Sequence, residues 1–193
     1  ETIEIFGSLD ILINNGGGQF PAPAEMIKPK GWRAVIDTNL TGTFLMCQQA
    51  FEQWMIDNGG TIVNVVANNA IGMPMMVHTG AARAGVQNMT KSLAIEWGRY
   101  GVRINSVAPG TIDSSGLDSY DPMYQDFIRG YAKNNQTFRL GNEEEIAAAI
   151  VFLASPGASF ITGTCLWADG GESLYHPVMP PSQNDKNPGF KDE

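Results

Sequence analysis

An α/β fold with a mostly parallel sheet is predicted, and three features of the 193-residue chain predict it. Short apolar runs rich in β-branched residues recur along the chain, each closed by glycine, proline or asparagine. Longer stretches with apolar residues every three or four positions separate them, which is helical spacing. The connections are long enough for crossover helices, so neighbouring strands run parallel and right-handed crossovers put helices on both faces. The length suits a single domain with a proper core.

Taken in order, Glu1 to Gly7 reads as the last turns of a helix ended by a glycine. Residues 9 to 13 form an apolar strand that meets the turn Asn14-Asn15-Gly16-Gly17-Gly18. From about Lys30 to Asp57 the apolar residues fall at helical spacing, and Gly59-Gly60 ends the helix. Thr61 to Val66 is a β-branched strand, Ala81 to Tyr100 an amphipathic helix, and Val102 to Ala108 a third strand closed by Pro109-Gly110. Residues 111 to 141 are long, polar and irregular. Glu143-Glu144-Glu145 opens a helix to about Ala154, with acidic residues at the positive end of its dipole. Gly163 to Ala168 is a last short strand before Asp169-Gly170-Gly171, and residues 172 to 193 read as an extended tail. A G-x-G-x-x-G turn after a first strand is not among these elements. At about 30 residues per βα unit, two or three further units are expected to precede Glu1. Residues 1–171 are thus expected to be part of a larger α/β domain.

Composition narrows the functions. A net charge of −8 argues against nucleic acid as a partner, since phosphate binding needs clustered Lys and Arg. No apolar run approaches the roughly 20 residues that span a bilayer. Cys47 and Cys165 sit in apolar surroundings with no Cys or His at metal spacing, so neither a disulfide framework nor a metal is expected.

From Leu9 to Gly171 the chain resembles the short-chain dehydrogenase/reductase family. Five segments carry the likeness: Asn14-Asn15-Gly16-Gly17, Asn39-Leu40-Thr41-Gly42, Arg83-Ala84-Gly85-Val86, Val102 to Asn105 with Val107-Ala108-Pro109-Gly110, and Phe160 to Gly163 with Asp169-Gly170-Gly171. Each is weak alone; in this order and spacing they are specific. The resemblance implies the C-terminal two-thirds of a Rossmann-like doubly wound parallel sheet. Within the family the chain is most similar to the peroxisomal trans-2-enoyl-CoA reductases, on Asn14 to Phe20, His78 to Val86 and Gly171 to Tyr175. The 2,4-dienoyl-CoA reductases are a more distant likeness.

Most members of the family use Ser, Tyr and Lys, the last two spaced Y-x-x-x-K. Matching Arg83 to that lysine puts Thr79 at the tyrosine and Val66 or Ala67 at the serine. One reading is a degenerate, inactive copy, structural or cofactor-sensing. The chemistry offers another. Reducing a ketone creates an alkoxide that needs a strong proton donor at once. Reducing an enoyl thioester leaves an enolate whose oxygen needs hydrogen bonds, which a Thr hydroxyl and amides supply. The resemblance therefore implies NADPH-dependent reduction of the C=C bond of trans-2-enoyl-CoA in fatty acid metabolism. The alternative enzyme reading is a carbonyl (3-oxoacyl) reductase.

The candidate catalytic residues are Asn39, Thr79, Arg83, Asn68 and Lys91. Thr79 also fits a helix N-cap ahead of Ala81. Asn68 falls near the catalytic tyrosine of the dienoyl reductases, yet Asn68 and Asn69 also suit a turn. Lys91 ends a second Y-x-x-x-K frame whose tyrosine position is Gln87, and otherwise reads as a solvated charge. His78, in a loop with Met73, Met75 and Met76, is either a hydrogen-bond donor or packing. The resemblance places NADPH against Asn15, Gly16 and Gly17, Arg83 on the ribose, and Pro109, Gly110, Thr111 and Ile112 at the nicotinamide, with backbone groups of Thr111 and Ile112 reading the carboxamide. Over the substrate it places residues 111 to 141, where Tyr120, Met123, Tyr124, Phe127, Ile128 and Tyr131 form an apolar stripe, suited to an acyl chain or to core packing. Arg129, Lys133 and Arg139 are the nearby cations for CoA phosphates. Residues 28–57 and 81–100 are expected to pack together and carry a homo-oligomer interface, dimer or tetramer. A peroxisomal address is implied by the resemblance alone, with the cytoplasm as alternative: the ending Gly189-Phe190-Lys191-Asp192-Glu193 is neither S-K-L nor a complete K-D-E-L.

Overall fold

A computed structural model of the chain describes residues 1–117, 120–184 and 186–190. Four strands, β1 (Ile11–Asn14), β2 (Gly60–Val65), β3 (Val102–Pro109) and β4 (Cys165–Ala168), pair in that order, all parallel. The register aligns Asn14 with Asn64, Asn64 with Ser106 and Ser106 with Cys165. The helices are α1 (Thr2–Phe6), α2 (residues 29–58), α3 (Val77–Trp97), α4 (Pro122–Arg129) and α5 (Glu143–Ala154). The strands at 9–13 and 163–168 prove shorter at their starts than the sequence suggested. Leu9 and Asp10 are lead-in, although Asp10 O still accepts from Thr61 N, and Gly163 turns the chain at φ 73°.

Helix α2 starts with Pro29 in its first turn, where a missing N–H costs nothing. Two π turns interrupt it, at Asp37–Thr41 and Phe51–Met55. Helix α3 begins at Val77, four residues earlier than the sequence pattern suggested. The turn Met76 N→Met73 O aims the chain into the helix, and Gly80 N→Met76 O closes its first turn. Thr79 therefore lies inside that turn, and the N-cap role expected of it belongs to Met76.

Successive strand residues point to opposite faces, which sorts the core. Ile62, Val102 and Ile104 meet Cys47, Phe51 and Met55 of α2 and Leu93 and Ala94 of α3. Val63, Val107 and Leu166 meet Ile146, Ile150 and Leu153 of α5 on the other face. The first two crossovers thus share a face and the third lies opposite. With strands laid down in one direction, that third crossover carries the opposite hand, against the uniform right-handedness expected.

Helices α2 and α3 pack side by side, as expected. Phe51 stacks on Trp97 at 4.2 Å, and Gly85 leaves room for Leu40 where a Cβ would come within 3.0 Å. Trp97 and Trp54 face this seam, while Phe44, Leu45, Met46 and Ile95 are left on the outside. In the tail, residues 172–174 form a single turn and residues 187–190 lie against α5; Asp185 and residues 191–193, with the end of the tail, fall outside the described residues.

Candidate active site

Turns at the carboxyl ends of parallel strands are where ligands meet such sheets, and the candidate residues gather there. After β1, Asn15 to Gly18 is exposed, and a Cβ at Gly16 or Gly18 would meet nothing, so the turn faces open space. Its back is filled: a Cβ at Gly17 would run into the Arg83 guanidinium and the Asn39 amide. Asn39, from the first π turn of α2, donates to Gly18 O at 2.7 Å and Val35 O at 2.8 Å, and accepts from Gly18 N at 3.4 Å. Its amide hydrogens are both committed, one to the turn and one to its own helix. Arg83 donates to Val65 O at 2.9 Å, and burial lowers its pKa while leaving a guanidinium charged. Gly17, Asn39 and Arg83 thus pack together, with Asn15 and Gly16 on the same turn.

The start of α3 is the second part. Thr79 and His78 are fully buried. Thr79 N donates to His78 Nδ1 at 2.8 Å, and the Thr79 hydroxyl lies 3.3 Å from the same nitrogen. His78 meets Phe20 edge-on with ring centroids 4.6 Å apart. Asn68 donates to Asp169 Oδ2 at 3.5 Å while its own Oδ1 accepts from Ala70 N, a turn-forming contact. Lys91 is not brought in. It stands exposed two turns along α3 from Arg83, roughly 12 Å at 1.5 Å per residue, so the solvated-charge reading holds. Gln87 is turned to Cys165 Sγ.

The third part is the turn after β3. Gly110, Thr111 and Ile112 line a cavity of about 270 Å³ with Arg139, Trp167 and Asp169. Gly110 sits so close to Asp169 that a Cβ would come within 2.7 Å of its Cα. Thr111 departs from expectation: its N–H and hydroxyl both donate to Glu172 Oε2, at 3.0 and 3.1 Å, so this amide is committed. Asp113 N and Thr111 O pair with Gly141, which leaves the backbone groups of Ile112 facing the other way. Glu172 and Asp169 were missed as site residues; the acidic residues in Asp169-Gly170-Gly171-Glu172 were the available signal. Burial raises the Glu172 pKa, and the two Thr111 donors oppose it.

Across the site, Tyr120, Tyr124, Phe127 and Tyr131 form a ladder with successive centroids 6.1, 5.8 and 5.4 Å apart. Met123 is 81% and Phe127 58% exposed, so the stripe is not core packing. Tyr120 reaches back to the glycine-rich turn, its hydroxyl accepting from Gln19 Nε2 at 3.2 Å. Arg139 is unsuited to phosphate: it is paired with Glu145 and donates to Asn187 O and Pro188 O of the tail. The Cys47 thiol, beside Asn14 and Asn64, is pushed up to about 12 by burial, which keeps it inert. Among the described residues no three His, Cys, Asp or Glu side chains gather as metal ligands, and no helix is long and apolar enough to cross a membrane.

Comparison with known proteins shows the family and the fold. The family model described as enoyl-(acyl carrier protein) reductase matches residues 1–173. A Bacillus subtilis protein named "Probable 2,4-dienoyl-CoA reductase [(2E)-enoyl-CoA-producing]" is 42% identical over 180 residues, covering 90% of this chain and 70% of the relative. A Danio rerio protein named "Peroxisomal 2,4-dienoyl-CoA reductase [(3E)-enoyl-CoA-producing]" is 40% identical over 177 residues, covering 90% and 58%. The solved structure of the citronellol catabolism dehydrogenase AtuB of Pseudomonas aeruginosa superposes with a TM-score of 0.77 at 43% identity, covering 89% of this chain and 65% of that one. This chain therefore spans 58% of the length of the fish relative and 70% of the Bacillus one.

Proposed function

Because this chain belongs to the short-chain dehydrogenase/reductase family, we propose that the whole protein is an oxidoreductase that reduces the C2=C3 bond of trans-2-enoyl-CoA with NADPH. One observation carries the reading: the family's tyrosine position holds Thr79, buried against His78, and its serine position is apolar Val66 or Ala67. A Thr hydroxyl is too weak an acid to protonate an alkoxide at neutral pH, but it can donate a hydrogen bond to an enolate oxygen.

The cofactor fits what the turns offer. The open side of Gly16 and Gly18 admits close backbone approach, and Arg83, packed behind Gly17, is a permanent cation that would hold the ribose. When bound, the nicotinamide supplies a hydride. Hydride delivered to C3 would turn the C2=C3 pair into the C1=C2 bond of an enolate, with the carbonyl π pair on the thioester oxygen, and a proton from water at C2 would complete the change. The residues of this chain hold rather than react. Asn39 and Arg83 fix the turn, Thr79 donates toward the enolate oxygen, and Tyr120, Met123, Tyr124 and Phe127 offer an apolar face to the acyl chain. Asn68, tied to Asp169, keeps the β2 and β4 ends together rather than acting as the acid.

The decisive assay follows NADPH oxidation by the full-length protein with trans-2-enoyl-CoA, 2,4-dienoyl-CoA and 3-oxoacyl-CoA side by side. Fastest turnover of the 2-enoyl thioester is expected; faster turnover of the 3-oxoacyl substrate overturns the reading. Preference for the dienoyl substrate would align the protein with the Bacillus and fish relatives instead. One contact favours carbonyl reduction as a second reading. The Tyr120 hydroxyl lies at the glycine-rich turn and could act as an acid, which Tyr120→Phe tests. The peroxisomal address rests on the name of the fish relative, set against a bacterial relative of similar identity. Homo-oligomerisation through the outer faces of α2 and α3 rests on exposed Leu45, Met46 and Ile95. A monodisperse monomer in light scattering at micromolar concentration would refute it.

A further inference from the structure

We propose that His78 presents its Nε2–H to the thioester oxygen of the substrate, as a second donor beside Thr79; this rests on the enoyl-reduction reading. The observation behind it is an unsatisfied donor. The imidazole is fully buried, and its Nε2 has no hydrogen-bond partner. The other nitrogen settles which atom carries the proton. Nδ1 has one in-plane lone pair, and Thr79 N–H already points into it at 2.8 Å, so the neutral ring is protonated on Nε2. The same contact leaves the Thr79 hydroxyl, at 3.3 Å, without a strong claim on Nδ1. Two adjacent residues thus hold two donors in reserve.

A buried N–H with no acceptor costs roughly 1–3 kcal/mol, so a fold that keeps one has a use for it or a water on it. Three buried side-chain polar atoms among the described residues lack partners, and two of them belong to the segment leading from β2 into α3, Asn69 Nδ2 in the loop and His78 Nε2 in the helix's first turn. Met76 itself offers no side-chain cap, and of the first-turn amides Thr79 N is taken by His78 Nδ1, so the dipole of a 21-residue helix still adds positive potential where an enolate oxygen would sit.

What covers the pair is irregular backbone. Phe20 lies across the imidazole, Met73 lies 3.3 Å from a Cβ placed on Gly80, and Ala22 N→Met75 O joins the two covering loops. Met75 is one of two non-glycine residues with positive φ, at 67°, among the described residues. A small outward shift of this roof, which contains no sheet or α-helix, brings the substrate oxygen to both donors.

Three substitutions in the full-length protein separate the possibilities. His78→Asn keeps an acceptor for Thr79 N–H and loses the ε donor. His78→Gln keeps a donor at the ε position, and His78→Phe keeps the volume and neither function. Expected is a fall in kcat of about 10²–10³-fold for Asn and Phe, KM changing less than about threefold, and Gln within about tenfold of the original. Thermal melting of the Asn and Gln variants serves as the control for folding. An Asn variant as active as the parent overturns the proposal and leaves His78 only a support for Thr79. A reading independent of turnover comes from nitrogen-15 NMR of the imidazole, assigned by loss of signal in His78→Asn. Acetoacetyl-CoA, which carries a ready enolate, should move the Nε2–H resonance downfield. An unmoved resonance at saturating acetoacetyl-CoA defeats the donor role even if trans-2-enoyl-CoA is turned over. A moved resonance in a protein that turns over none of the thioesters would keep the donor and discard the reaction.

Discussion

Two helices of this protein begin in opposite ways. Helix α5 starts with a complete capping box and three acidic residues in its first turn. Asn142 accepts from Glu145 N at 2.9 Å, and Glu145 returns a bond to Asn142 N at 3.0 Å. Arg139 then clamps Glu145 at 2.6 and 2.8 Å and draws the tail onto the pair through Asn187 O and Pro188 O. Helix α3 starts on Met76 with no side-chain cap, a buried imidazole with one idle nitrogen, and a threonine hydroxyl with one long contact. A satisfied helix end contributes stability; an unsatisfied one keeps donors free for a ligand. The difference distinguishes a scaffold end from the proposed site without reference to any relative.

The strongest way to break this comparison is at Thr79. Thr79→Val preserves shape and removes one donor, so kcat on trans-2-enoyl-CoA should fall about 10²–10³-fold, with the melting temperature shifted by only a few degrees. A variant within about twofold of the parent would mean the start of α3 is not the site.

At the other helix the effect should be on stability alone. Glu145→Gln should cost about 2 kcal/mol, because it replaces a bidentate charge-assisted pair by a neutral contact, while the Gln oxygen can still accept from Asn142 N. Chemical denaturation measures that, while kcat should be nearly unchanged.

Acid titration sharpens the same point. The Arg139 guanidinium, through its hydrogen bonds, holds the Glu145 carboxyl at about 2 against an ordinary 4.5. A depressed carboxyl stabilises the fold above its unfolded value, and that contribution is lost as pH falls from about 4.5 toward 2. Melting temperature against pH should drop through that window in the parent and drop less in Glu145→Gln.

The smallest expected effect comes from repairing α3. Met76→Ser adds the missing cap and should raise stability by up to about 1 kcal/mol while lowering kcat, since the new oxygen competes for the first-turn amides. A gain in both stability and rate would show that the uncapped end serves no purpose.

Local sequence determined much of this protein. The β-branched runs and glycine stops located the strands to within about two residues, because period and turn chemistry act over a few positions. The order of short motifs pointed to the turn after β1 and to two helix motifs, and the fold joins them because Asn39 and Arg83 reach backbone after β1 and at the end of β2, Gly18 O and Val65 O. Spacing could not tell that α3 starts at Val77, because the Met73 to Met76 turn that launches it is held by a bond from a distant loop, Ala22 N to Met75 O. Nor could it tell that α5 lies on the opposite face from α2 and α3, because a helix with apolar residues all round fits either face until the layers are packed. Which polar groups are left without partners was likewise decided only in three dimensions. Lys91 and His78 look alike in one dimension, two lone polar residues near Arg83, yet the fold leaves one in water and seals the other with an idle donor. Burial is a sum over the whole chain, and no local pattern carries it.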